Sequence, residues 1–354
     1  MRVYHTIGKK QVILTKTGKT VKKVVGSVPV PDTVSLYFFT PPCQNTPMSF
    51  SQLLSEAIRK KGNPVLVGLD PRWESLPSSC QSETGGPTPP AHVVADSFER
   101  FCKTIIDIVA PLVPAVKPQS AFFEQYGAAG MTALQNVIRY ARQQGLIVIF
   151  DGKRNDIGST AEAYAAGILG AESAWGADAL TVSPYLGDDS IEPFVKTAVE
   201  RNAGIYVLVK TSNAGGKMLQ DLTVDGKPLY HRVAEYVEKL ARQTAGSVGA
   251  VVGATWSEQL AELRQVMPSA PLLVPGYGAQ GGTAKDVAKA FYSDGSGALI
   301  NNSRGIIFAY MKEPFKSQFG ELRWQDATLA ATKQMIEELR SEIAVFDGTA
   351  GASR

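Results

Sequence analysis

The chain has 354 residues, 44% hydrophobic and 19% charged, proportions of a folded globular protein with room for one large domain or two ordinary ones. Its net charge is +3, its three cysteines (Cys43, Cys80, Cys102) are odd in number and widely spaced, and its three histidines (His5, His92, His231) are scattered. A disulfide framework, a metal site and histidine-based triad chemistry are therefore not expected, whereas a reducing cytoplasm is; no apolar run approaches the roughly 18 residues of a membrane span.

Charge is unevenly spread. Residues 1–47 carry seven basic side chains against Asp32 alone, so the remainder is net acidic and offers no basis for binding nucleic acid. Within this stretch Gln11-Val12-Ile13-Leu14 and Val21-Lys22-Lys23-Val24-Val25 flank Lys16-Thr17-Gly18-Lys19, as in a small β-hairpin. The order of a signal peptide is missing, and Thr40-Pro41-Pro42 breaks the structure before Met48. Residues 1–47 are expected to be a basic extension, disordered or a small arm, with Met48 a candidate start of translation.

From Met48 the pattern is regular. Ser49 to Lys61 reads as an amphipathic helix, and Pro64 to Asp70 as a buried strand ending in a carboxylate. Residues 71–91 form a long Pro-, Gly- and Ser-rich loop. Val94, Phe98, Phe101, Ile105 and Ile108 then mark one face of a helix. Pro114 to Pro118 is a second strand, followed by a helix over 121–144, and Leu146 to Phe150 is a third. Further strands are read at Ala177–Ser183, Gly204–Ser212, Val248–Thr255, Leu272–Gly278 and Ala298–Arg304, with helices near 190–201, 230–244, 256–266, 284–292 and 324–344. Eight strands alternating with helices over residues 48–345 is the pattern of a (β/α)8 TIM barrel, with 346–354 a flexible tail. A doubly wound sheet is the competitor, but its glycine-rich first turn is replaced by Leu69-Asp70-Pro71-Arg72.

In a barrel the functional groups stand at the C-terminal strand ends. Read in order, these are Asp70, Lys117, Asp151 with Lys153, Ser183, Lys210 with Ser212, Thr255, Gly276 to Gly282, and Arg304. Asp151 and Lys153 are two apart, so on an extended strand both project from one face, and Asp156 follows in the turn. Ser159 and Glu162 have capping-box spacing, which places the next helix start there. A solvated charged turn is the plain alternative, but a preceding buried strand desolvates such charges unless they pair. Pro275-Gly276-Tyr277-Gly278-Ala279-Gln280-Gly281-Gly282 can offer backbone N–H groups as an anion nest, with Thr283 capping the next helix and Arg304 alongside. That combination points to phosphate. Lys117 precedes Pro118 and is therefore extended into the mouth, while Lys210 keeps open a Schiff-base reading.

In these motifs the chain resembles the orotidine 5′-phosphate decarboxylase family, in its bacterial longer-chain branch. The D-x-K-x-x-D motif is Asp151, Lys153 and Asp156, followed by Ile157 and Thr160; Lys117 stands in Ala-Val-Lys-Pro-Gln and Asp70 in Gly-Leu-Asp-Pro-Arg. The resemblance covers residues 48 to 345. It implies cofactor-free decarboxylation of orotidine 5′-phosphate to uridine 5′-phosphate, with neither metal nor cofactor, in pyrimidine synthesis. Lys153 would protonate C6 within a Lys-Asp-Lys-Asp array completed by Lys117, Asp151 and Asp156. Asp70 would hold ribose and Ser212 the pyrimidine, with Pro275, Gln280 and Arg304 at the phosphate end. Asp156, Ile157 and Thr160 would reach into a neighbouring subunit's site, making a homodimer. Two alternatives stay open: a sugar-phosphate decarboxylase or aldolase sharing the motif, which would carry an acidic metal ligand where Lys117 stands, and a non-catalytic binding barrel.

Overall fold

A computed structural model describes residues 2–7, 10–17, 20–26, 48–82, 89–278 and 281–343. They form two units, Met1–Thr46 and Pro47–Arg354. In the first, strands Arg2–Ile7, Lys10–Thr17 and Thr20–Gly26 pair as an antiparallel sheet, so one strand precedes the hairpin pair read from the sequence. The tail 346–354 lies outside the described residues.

The second unit is a closed barrel of eight parallel strands, which removes the doubly wound alternative. They are β1 (Val65–Leu69), β2 (Ala115–Pro118), β3 (Ile147–Arg154), β4 (Ala179–Val182), β5 (Gly204–Lys210), β6 (Val248–Val252), β7 (Leu272–Pro275) and β8 (Ala298–Asn302). Each pairs in parallel with the next, and β8 closes on β1 through Ile300–Val65 and Asn302–Val67. Val65 to Leu69 are buried along their whole length, the continuous apolar run that a sheet covered on both faces demands.

Helix α1 (Phe50–Lys61) precedes β1 and is capped at both ends. Ser49 and Gln52 exchange side chain–backbone bonds in a capping box, and Gly62 ends the helix at φ 65. Phe50 lies against β5 so closely that a Cβ on Gly204 would stand 2.3 Å from its ring. The strands are followed in turn by α2 (Ala91–Val109), α3 (Gly127–Gln143), α4 (Gly158–Ile168), α5 (Glu192–Glu200), α6 (Leu229–Gln243), α7 (Ser257–Val266), α8 (Ala284–Ala288) and α9 (Trp324–Glu342). Phe101 of α2 stacks on Phe308 and packs on Trp324 of α9, joining the first and last helices of the ring. Among the described residues no helix is long and apolar enough to cross a membrane.

Three local expectations change. The helix read over 121–144 is two pieces, Ala121–Glu124 and α3, because the chain turns at Gly127 (φ 58) and folds back. Gly130 then touches the Phe123 carbonyl, where a Cβ would come within 1.9 Å. Helix α4 starts at Gly158 after an extended Ile157, with no side-chain cap, so Ser159 and Glu162 lie inside it rather than forming a capping box. Finally, β5 is separated from α6 by an insertion with short helices Ala214–Gly216 and Lys217–Gln220 and a ladder of Thr223–Val224 with Lys227–Pro228.

Candidate active site

Three strands converge on one carboxylate. Lys117 of β2 donates from Nζ to Asp151 Oδ2 at 2.6 Å, and Lys153 of β3 donates to Oδ1 at 2.7 Å. Thr181 of β4 adds a third bond, Oγ1 to Oδ1 at 3.0 Å. Asp151 and Lys117 are buried, whereas the Lys153 side chain is 47% exposed at the mouth. Burial alone would raise the Asp151 carboxyl, but the ammoniums of Lys117 and Lys153 and their hydrogen bonds hold it well below the usual carboxylate range. Burial likewise pulls Lys117 down, and the charges of Asp151 and Asp70, with the Asp151 hydrogen bond, outweigh it and raise the lysine.

Asp151 and Lys153 do meet, but not by simple strand alternation. Lys153 adopts φ 44, a left-handed conformation that non-glycine residues seldom take, and β3 shifts register between Phe150 and Arg154. Thr181 holds this kink, because its Oγ1 also accepts the Lys153 backbone N–H at 2.9 Å. Gly152 is required there: a Cβ would stand 2.5 Å from the Phe150 ring. Arg154 leans away from the array, pairing with Glu124 at 2.7 Å and stacking on Phe150 and Tyr164.

The other strand ends distribute as follows. Asp70 follows β1, with Oδ1 buried and lacking a hydrogen-bond partner among the described residues. Ser212 begins the insertion after β5, its carbonyl accepting from Thr255 Oγ1 at 3.2 Å. Thr181, not Ser183, is the β4 hydroxyl in the array. Thr181 went unnoticed in the sequence; its only signal was a hydroxyl inside an otherwise apolar strand. Asp156 is not brought to the array within one chain: its carboxylate accepts the Ile157 N–H at 2.9 Å, and among the described residues it has no salt-bridge partner. Ile157 and Thr160 are exposed beside it.

Two expectations are corrected here. The glycine loop after β7 spends N–H groups on itself: Gly278 donates to Gly282, Gly281 to Gly278 and Gly282 to Gly276, so these three are not offered as a nest. Thr283 does cap α8 in a capping box, but with Asp286, so a carboxylate already occupies that helix end. Gln280 lies outside the described residues. Pro275 ends β7, and Arg304 is exposed just after β8, the strand paired with β7. Lys210 is the second correction. Its ammonium pairs with Asp221 and lies over Tyr230 and Trp256, so the lysine left open for a Schiff base is already engaged in an ion pair.

The array yields a stability prediction. The Asp151 carboxyl titrates below its unfolded value of about 3.9, so its contribution is complete above that pH and is lost as pH falls through the folded value. Lys117, raised above about 10.4, contributes below that pH and loses its contribution on alkalinisation. Asp151→Ala leaves a buried ammonium unpaired and should cost about 3–5 kcal/mol at neutral pH, with a flatter acid limb than wild type. Urea unfolding at about pH 7 and about pH 3 measures both, and an unchanged neutral stability would contradict the pairing.

Comparison with known proteins identifies the family. Residues 63–314 match the family model described as orotidine 5′-phosphate decarboxylase / HUMPS family. An orotidine 5′-phosphate decarboxylase of Rhodopirellula baltica is 55% identical over 302 residues, covering 83% of this chain and 99% of that protein. One from Cupriavidus necator is 41% identical over 271 residues, covering 76% and 92%. The solved Leishmania donovani OMP decarboxylase superposes with TM-score 0.66 at 35% identity, covering 84% of this chain and 99% of its own. With the family model spanning most of the barrel and these relatives matched over nearly their whole lengths, the chain belongs to the orotidine 5′-phosphate decarboxylase / HUMPS family.

Proposed function

We propose that this protein decarboxylates orotidine 5′-phosphate to uridine 5′-phosphate in pyrimidine synthesis. The observation that carries the reading is the carboxylate of Asp151 held between two ammoniums at the barrel mouth. When the C6–carboxylate bond breaks, CO2 leaves and its electron pair stays on C6. The Lys153 ammonium stabilises that pair and donates the proton that forms the new C6–H bond, and solvent returns a proton to the amine. Asp151 lies where the substrate carboxylate arrives, which disfavours that charge before reaction and favours its loss. Lys117 keeps Asp151 ionised. Asp70 takes a ribose hydroxyl, Ser212 the pyrimidine, and Arg304 with Gln280 and Pro275 the phosphate end, so that remote binding energy serves the chemical step.

A homodimer completes the site. Ile157 and Thr160 are exposed beside Asp156, and Ile157 leaves 55% of its surface open, which suits insertion beside a partner's array.

Four outcomes are expected. Purified protein with EDTA should convert orotidine 5′-phosphate, followed by its ultraviolet absorbance, and Lys153→Ala should abolish turnover. Borohydride added during turnover should leave no adduct on Lys153 or Lys210; a trapped substrate would replace this reading with an aldolase-like one. Arg304→Ala should lose about 2–5 kcal/mol of transition-state stabilisation for the phosphorylated substrate and scarcely alter turnover of the bare nucleoside; equal damage to both would count against a phosphate role. Mixing inactive Lys153→Ala and Asp156→Ala protomers should restore about a quarter of wild-type activity, because half the random dimers own one intact shared site. Mixtures as inactive as their components would refute shared sites.

A further inference from the structure

Lys210 belongs to none of the groups placed around the substrate, yet it is only 1% exposed at the end of β5. Its ammonium pairs with Asp221 and lies 5.0 Å from the ring centres of both Tyr230 and Trp256. An ammonium so buried is costly unless it is paired, so Lys210 and Asp221 hold each other, and Asp221 sits well inside the insertion that leaves β5. Trp256, just after β6, makes a second tie. Its indole N–H donates to the Thr211 carbonyl at 2.9 Å, and the ammonium of Lys217 lies 4.8 Å from its ring centre. Gln220 then closes the insertion on its own start: Thr211 N–H donates to Oε1 at 3.0 Å, and Nε2 donates to Thr211 Oγ1 at 2.8 Å.

Ser212 lies inside this set of ties. Thr255 Oγ1 donates to its carbonyl, and a Cβ on Gly253 would lie 2.7 Å from its Cα, so the β6 end supports its backbone directly. We propose that Lys210 and Trp256 are positioning residues that preset Ser212 for the pyrimidine ring, by pinning the insertion over 211–228 to the β6 end; this rests on the reading of Ser212 as the pyrimidine contact. An unpinned insertion would have to order itself each time the ring binds, and that ordering cost falls on affinity for the base. The phosphate and ribose, held by other strand ends, are indifferent to it.

The test compares binding of uridine 5′-phosphate with that of ribose 5-phosphate, by calorimetry on the full chain. Lys210→Met and Trp256→Phe should each weaken uridine 5′-phosphate about tenfold and leave ribose 5-phosphate unchanged. Lys210→Arg keeps a cation over the two rings and should retain most of the preference. Asp221, on the insertion with its side chain 39% exposed, supplies Asp221→Asn as the variant that reads the same tie if Lys210→Met does not fold. Ser212→Ala is the control. If it loses the preference while the Lys210, Trp256 and Asp221 variants keep it, the pin is wrong and Ser212 stands. If Ser212→Ala keeps the preference, the Ser212 reading fails and the pin with it. Equal weakening of both ligands in the pin variants marks general damage and also overturns the proposal.

Discussion

The barrel mouth depends on one buried carboxylate that must never be left alone. Asp151 is removed from water by the strands around it, and it stays charged only because Lys117, Lys153 and Thr181 direct three donors at its two oxygens. Each donor comes from a different strand or a different point on the same strand, so β2, β3 and β4 are locked together by electrostatics as well as by their ladder. The pairing also decides where Lys153 stands. Half of that side chain faces solvent, and without Asp151 and the left-handed kink held by Thr181 it would sample many rotamers. For the proton donor proposed above, being fixed in one place before substrate arrives is what preorganised catalysis needs.

The rim around this floor is built in two ways. The segment after β5 is tied by a buried ion pair, two aromatic faces and an indole hydrogen bond, all from outside the insertion's own backbone. The loop after β7 instead closes on itself through Gly276, Gly278, Gly281 and Gly282, with its base fixed where the Tyr277 hydroxyl donates to Glu338 of α9. A loop whose N–H groups are satisfied internally can reach an anion through those groups only by rearranging, whereas the tied segment is already in place. On this geometry base recognition would be preset and phosphate recognition would accompany loop closure.

Much of the fold was legible in the residues. Most barrel strands announce themselves as a short apolar run before a polar strand end, because a strand covered on both faces must be apolar along its buried length, and the alternation with helices leaves few architectures. The array was legible too, since Asp151 and Lys153 are neighbours and Lys117 is bound to an extended Pro118. Thr283 capped its helix as its spacing suggested, but Ser159 did not, because α4 begins at Gly158, two residues sooner than a helix capped by Ser159 would.

What sequence by itself determined was whatever depends on neighbours along the chain: strand and helix periodicity, the strand-end charges, and the nearness of Asp151 and Lys153, whose pairing also needed the kink held by Thr181. Tertiary structure alone decided which distant groups meet. Thr181 became part of the array only because β4 lies beside β3, and Lys210 is paired and covered only because Asp221, Tyr230 and Trp256 fold around it. Asp156 shows the same limit from the other side, since its motif spacing names it a member of the array while in its own chain its carboxylate accepts only the neighbouring Ile157 N–H among the described residues. Hydrogen bonds and ion pairs act over a few ångströms in space, and separation along the sequence carries no record of those distances until the barrel has closed.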